Sequence, residues 1–224
     1  MIQIAIDGPA GSGKSTTAKK IAQLLDINYM DTGAMYRAVA YEMMKRGVDL
    51  TDIDKINAEI RDIDLTVSYS DGAQHISIDG RDVTDKLRTP EVSAGASAVA
   101  KAGNVREYLV AIQQKTANQY DMVMDGRDIG TVVLPDSPAK FYMTASVDER
   151  ARRRQAQLKA AGVDSDFETL KSEIAARDKN DSEREISPLR MAADAVLIDN
   201  SNLSEDDVNG MILSRVREIY KDVL

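Results

Sequence analysis

The chain has 224 residues, 43% of them hydrophobic, enough for one sizeable core or for a core domain carrying an inserted subdomain. Its net charge of −8 argues against general binding to nucleic acid or anionic membranes, and no apolar run is long enough to span a bilayer. With no cysteine, it has neither a disulfide scaffold nor thiolate zinc sites, and with no basic leader before the first apolar run it reads as cytoplasmic.

Ile2 to Ile6 is a short apolar run ending in Asp7-Gly8, the pattern of a buried parallel strand. Lys14 to Leu25 follows as a helix with Ala18, Ile21, Ala22 and Leu25 on one face. Tyr29-Met30 is a brief strand leading through Asp31-Thr32-Gly33 into a helix that stops near Gly47, and Asp54 to Ile63 is a further helix. The period then changes. Leu65 to Tyr69 alternates, Ser70-Asp71-Gly72 turns, Ile76 to Ile78 alternates again, and a third short strand is expected at Asp82-Val83-Thr84. Thr89-Pro90 opens a helix, and Val105 to Gln119 forms another.

Met122 to Met124 and Phe141 to Met143 read as core strands. Ser146-Val147-Asp148-Glu149 has the form of a capping box before an arginine-rich helix that ends by Gly162. Asp166 caps a helix running to about Arg184, Ala195 to Ile198 is the last strand, and Ser204 begins the final helix. The expected fold is a three-layer α/β/α core with a parallel sheet, built from residues 1–36 and 121–224. Residues 37–120 would form an inserted subdomain with a small antiparallel sheet, and a short helical lid would lie within about 150–185.

Gly8-Pro9-Ala10-Gly11-Ser12-Gly13-Lys14-Ser15 fits G-x-x-x-x-G-K-[ST] without a gap, with a strand before it and a helix after it. The glycines let the backbone turn tightly, so that successive amides face phosphate oxygens, and the helix start adds positive potential. These residues and the adjoining Thr16 are expected to bind ATP, with Lys14 reaching the β- and γ-phosphates and Ser15 binding Mg²⁺. Such a loop is common to ATPases, GTPases and many kinases. No guanine-reading N-K-x-D stretch occurs, so the acceptor must be read elsewhere.

Half of the arginines lie between Arg127 and Arg190. Planar capture of phosphate is one reason for arginine in an acidic chain; solvated helix faces are the other. Asp31-Thr32-Gly33-Ala34-Met35-Tyr36-Arg37 lies at a strand-to-helix junction, where two hydroxyls and a guanidinium can face one anion. Asp125-Gly126-Arg127-Asp128 closes another apolar strand, the end of an open α/β sheet at which ligands gather. Asp125 has either a capping role there or a metal-water role. Arg177, Asp181 and Arg184 fall on one helix face, a spacing that equally suits an i,i+4 ion pair between the first two.

With these stretches, Asp125 to Val133 and Arg177-Asp178 through Asp181 and Arg184, the chain closely resembles the bacterial cytidylate kinases over essentially its whole length. The resemblance implies transfer of the γ-phosphoryl of ATP to CMP or dCMP. Thr32, Tyr36, Arg37, Arg127, Arg177 and Arg184 would then hold the acceptor phosphate, with Thr32 standing where the family often has serine. Ser97, Arg106 and Asp128 would read the cytosine, and Asp181 the ribose. Lys14, Arg127, Arg177 and Arg184 would carry the catalysis. A carboxylate at Asp128 suits the exocyclic amino group of cytosine and would be left unpaired against the carbonyl of uracil.

Arg150, Arg153 and Arg154, on the helix after Ser146, are candidates to close over ATP as a lid. Asp199-Asn200-Ser201-Asn202 is a candidate wall of the adenine pocket. His75, the lone histidine, is expected at the surface. The expected cofactor is Mg²⁺, the partners are ATP and CMP or dCMP, and the chain is expected to be a monomer that binds neither nucleic acid nor membrane. Two alternatives stay open: a phosphate-loop protein that binds nucleotide as a switch, against which the arginine pairs argue, and a kinase for another small acceptor such as UMP or shikimate.

Overall fold

A computed structural model describes residues 1–70 and 72–223. Its centre is a five-stranded sheet of β1 (Gln3–Asp7), β2 (Asn28–Asp31), β6 (Met122–Gly126), β7 (Ala139–Thr144) and β8 (Val196–Asp199), in the order β2-β6-β1-β7-β8. Every pairing is parallel. The alternating faces of β1 feed two cores. Ile4 and Ile6 pack with Val123 and Phe141 against α1 (Lys14–Leu25) and α8 (Glu205–Ile219). Ala5 packs with Met30 and Met124 on the opposite face, under α2 (Thr32–Lys45) and α5 (Gly103–Ala117). This is the three-layer α/β/α arrangement expected of a phosphate-loop chain, with both faces of a parallel sheet covered.

The second core continues without a break into a small antiparallel sheet, β3 (Leu65–Ser70), β4 (Ala73–Ile78) and β5 (Arg81–Asp82), through Leu65, Ile76 and Ile78. α3 (Ile53–Glu59) precedes that sheet and ends in a tight turn at Ile60–Asp62, so the expected single helix changes pitch before Ile63. β5 lies earlier than the expected Asp82-Val83-Thr84. Val83 donates its amide back to the Ile76 carbonyl at 2.9 Å and Thr84 Oγ1 accepts the Ile76 amide at 2.9 Å, so the chain turns into a 3₁₀ segment there. Asp71, in the expected hairpin turn, lies outside the described residues. His75 is partly exposed beside Asp82.

α4 (Pro90–Val99) is capped by Thr89, as its sequence requires, and packs on α2. α6 (Val147–Ala160) and α7 (Phe167–Ser182) share a small cluster of Ala151, Leu170 and Ile174. Ser146 accepts the Glu149 amide, but the Glu149 carboxylate turns to Arg152 and Arg153 instead of completing a capping box. The full box forms at Ser204 and Asp207, where α8 begins.

The ends of β1, β6 and β7 meet at one level, Asp7 opposite Gly126 and Tyr142. Gly8 leaves the sheet there, and a Cβ on it would stand 2.0 Å from the Met143 carbonyl oxygen. Gly8→Ala must therefore push the phosphate loop away from β7. We expect a loss of about 1–3 kcal/mol in urea unfolding, the cost of overpacking. An unchanged midpoint would show that the loop can be displaced freely.

Candidate active site

The phosphate loop is held from its carbonyl side. Lys14 Nζ donates to the Pro9 oxygen at 3.2 Å, Arg150 to the Ala10 oxygen at 3.1 Å, and Asn200 Nδ2 to the Ser12 oxygen at 2.8 Å. In a trans peptide the N–H points opposite to the C=O. The amides of Ala10, Gly11 and Gly13 therefore turn to the other side, as an anion cradle requires. Gly11 and Gly13 hold φ of 73° and 86°, left-handed values that glycine adopts without a Cβ penalty. Gly13 caps α1 with no side-chain bond, so the helix start offers its amides to a ligand.

Lys14 is buried, and burial lowers its pKa to about 7, reinforced by Arg127 and Arg177 and opposed by Asp125 and Asp31. Ser15 Oγ donates to Asp125 Oδ2 at 2.7 Å, and the Tyr29 hydroxyl donates to Oδ1 at 2.6 Å. Burial and the neighbouring Asp31 raise the Asp125 pKa, against Lys14 and these two bonds. The hydroxyl of Ser15 and the carboxylate of Asp125 thus meet at one point. They are hard oxygen groups of the kind Mg²⁺ takes, directly or through water, beside phosphate.

Across Asp125 lies the arginine-rich side. Asp31 caps α2 through the Ala34 amide at 2.9 Å and pairs with Arg37 at 2.7 Å. Gln74, from β4, accepts the Asp31 amide at 2.8 Å. Thr32 Oγ1 donates to the Asp125 carbonyl at 2.7 Å. Arg127 Nε donates to Asp181 Oδ2 at 2.9 Å, so Asp181 pairs with Arg127 and not with its helical neighbour Arg177. Arg177 keeps a buried Nε without a partner among the described residues. Its pKa is lowered by burial and then by Arg127. Arg184 lies past the end of α7 rather than on its face. It reaches Asp181 at 3.9 Å while Nε donates to the Ile186 carbonyl.

Arg106 forms a buried ion pair with Asp128 Oδ2 and lies 5.4 Å from the Tyr36 ring centre. Between α4 and α7 opens a cleft of about 220 Å³, lined by Ser97, Asp181 and Arg184 together with Lys101 and Asn180. Lys101 and Asn180 carried no sequence signal of their own. Tyr29 and Gln74 escaped sequence reasoning too, because each acts on a residue far along the chain.

The three lid candidates do not share one environment. Arg150 is buried, donates Nε to the Ala145 carbonyl at 2.9 Å and pairs with Asp178 at 2.6 Å. Arg153 donates to the Asn200 carbonyl at 2.9 Å and to its side-chain oxygen at 3.1 Å. Arg154 is exposed, as is Thr16. Asn200, in the segment singled out for the adenine pocket, thus ties Arg153 to the phosphate loop.

The family model for cytidylate kinase matches residues 4–218. A cytidylate kinase of Caldicellulosiruptor bescii is 47% identical over 223 residues, covering 100% of this chain and 97% of the relative. The cytidylate kinase of Bacillus subtilis (strain 168) is 46% identical over 217 residues, covering 97% of each. A solved structure of an uncharacterized protein from Eubacterium ventriosum ATCC 27560 aligns at a TM-score of 0.53 and 16% identity, covering 96% of this chain and 98% of that one, a likeness of fold alone. Matched along nearly its whole length by the family model and by relatives at this identity, the chain belongs to the cytidylate kinase family.

Proposed function

We propose that this chain transfers the γ-phosphoryl group of ATP to CMP or dCMP, yielding ADP and CDP or dCDP. The observation that carries this reading is the position of Asp125. Its carboxylate meets the phosphate-loop Ser15, and its carbonyl meets Thr32 at the start of the arginine cluster. Two anionic groups bound on either side of it would lie next to each other, the geometry a phosphoryl transfer needs.

The acceptor is itself a phosphate, whose second pKa is about 6, so it attacks as a dianion and needs no strong base. The chain's task is to align two anions and neutralise their repulsion. Lys14 takes the donor phosphates. Arg37, Arg127, Arg177 and Arg184, with the hydroxyls of Thr32 and Tyr36, take the acceptor phosphate. Ser15 and Asp125 fit Mg²⁺, which would supply charge neutralisation on the donor phosphates. Asp128, backed by Arg106, and Ser97 face the base, and Asp181 the ribose.

Residues 37–120 serve in this reading as the nucleoside monophosphate subdomain on a core of 1–36 and 121–224. Residues of about 150–185 act as a lid, supported by the separate small cluster that joins α6 to α7. The chain works as a monomer on free nucleotides in the cytoplasm; no described helix is long and apolar enough to cross a membrane.

A panel of acceptors with Mg-ATP tests the assignment. CMP and dCMP should be turned over well ahead of UMP and shikimate. Equal rates with UMP would remove Asp128 from base selection. Arg37→Ala and Arg127→Ala should each lower kcat/KM for CMP by about 10²-fold or more in protein that still unfolds cooperatively on heating, Arg127→Ala at a lower temperature because it takes the hydrogen-bonded partner from Asp181. Wild-type kinetics in either variant would count against the acceptor site.

Lys14 gives a pH test. Free, with a pKa near 7, it is largely neutral at pH 8, whereas phosphate oxygens beside it favour the charged form. Binding of preformed Mg-ATP at pH 8 should therefore take up roughly one proton, read by calorimetry in buffers of different ionisation enthalpy, and Lys14→Met should abolish the uptake. No buffer dependence in the wild-type protein would mean that Lys14 is already charged when empty.

A further inference from the structure

We infer that Asp7 is a positioning residue for acceptor-base selection: it caps the turn after Asp128 from a different strand and so leaves the Asp128 carboxylate to face the base. Asp7 ends β1 immediately before the phosphate loop. Its side chain is 4% exposed, and both oxygens are occupied by main-chain donors of the neighbouring segment. Oδ1 accepts the Ile129 amide at 2.8 Å and Oδ2 the Gly130 amide at 2.7 Å.

Those amides open a single π-helical turn, Ile129–Val133, that begins directly after Arg127-Asp128. Helix starts leave amides without intrahelical partners, and the residue before the first turn ordinarily supplies the cap. Here that residue is Asp128, and it makes no capping bond. Its carboxylate is drawn instead to Arg106, on α5. Were Asp128 to cap its own turn, its oxygens would face the backbone and not Arg106. Asp7 takes over the capping task and fixes the turn relative to β1. The room for it is shaped: a Cβ on Gly130 would stand 3.4 Å from Asp7 Oδ2 and 3.3 Å from the Lys140 stem.

The charge balance agrees. Burial raises the Asp7 pKa to about 7, the Gly130 and Ile129 bonds lower it, Asp128 raises it and Lys14 lowers it. Tyr142 and Lys140 on β7 complete the surroundings, Lys140 being paired with Asp194. Protonation would place an O–H against an amide N–H and loosen the turn, so the positioning is present above about pH 7 and lost below it.

This inference rests on the assignment of Asp128 to the base, and the test separates the two. The ratio of kcat/KM for CMP to that for UMP is measured in the full-length wild-type chain, Asp7→Asn, Asp128→Asn and the double variant. Asn at position 7 keeps the shape but sets an NH₂ against one amide. We expect the ratio to fall about tenfold in Asp7→Asn, the loss of one charge-assisted bond, with Mg-ATP affinity within about twofold of wild type. In the double variant the ratio should be no lower than in Asp128→Asn alone, because Asp7 acts through Asp128. An unchanged ratio in Asp128→Asn would refute the base assignment. A changed ratio there with an unchanged one in Asp7→Asn, or strictly additive losses, would refute the positioning role. If Asp7→Asn does not fold, the wild-type ratio between pH 8 and pH 6 decides: it should fall, because the phosphate and Lys14 titrate alike for both acceptors. A flat ratio would overturn the proposal.

Discussion

Lys14 sits buried among other cations, and the rest of the site is arranged around that cost. Arg127 and Arg177 both push its pKa down, and Arg127 in turn bears on Arg177. Desolvating a cation and placing like charges beside it are separate penalties, and here they add. An empty site of this kind is electrostatically unfavourable, and a ligand with several negative oxygens relieves it. The charge of −8 on the whole chain hides this, because net charge averages over a surface while the relevant field is local.

The carboxylates limit the cost while the site is empty. Asp31 holds Arg37, Asp181 holds Arg127, Asp128 holds Arg106 and Asp178 holds Arg150. Breaking a buried pair is expensive, so these contacts give the guanidinium groups fixed directions before any phosphate arrives. The pairs differ in exposure. Arg106 and Asp128 are almost completely shielded, whereas Arg37 and Asp31 keep about a quarter of their side-chain surface. The first suits the permanent recognition role proposed for it. In the second, a phosphate can compete for the guanidinium.

Local signals in the sequence carry the fold well, and long-range contacts carry most of the site. β1 and β6 are legible because a parallel strand covered on both faces must be apolar throughout. The phosphate loop is legible because its whole chemistry lies in eight adjacent residues, Gly8 to Ser15. β5 is displaced because Val83 and Thr84 bond back to Ile76, a choice that alternation alone does not encode. The Glu149 carboxylate leaves its expected cap because two arginines compete for it. Asp181 reads as the partner of Arg177 from spacing, yet it meets Arg127, 54 residues away, because the strand end delivers that guanidinium to the same place. Gln74 and Tyr29 are invisible for the same reason: nothing near them in the chain announces Asp31 or Asp125.

Asp125 also constrains how the molecule can move. Ser15 and Tyr29 hold its carboxylate, Thr32 holds its carbonyl, and its strand pairs with both β1 and β2. A residue anchored on so many sides cannot be the place where the two halves of the site separate. The weaker joints lie elsewhere. Among the described residues, α6 and α7 share a small cluster with three buried members, and their polar ties to the phosphate loop run through Arg150, which also holds Asp178, and through Arg153 by way of Asn200. Sliding those helices would disturb few apolar contacts, while sliding β6 would break the sheet. In the proposed reading, motion would therefore fall to α6 and α7, and Asp125, between the two phosphate sites, would stay fixed.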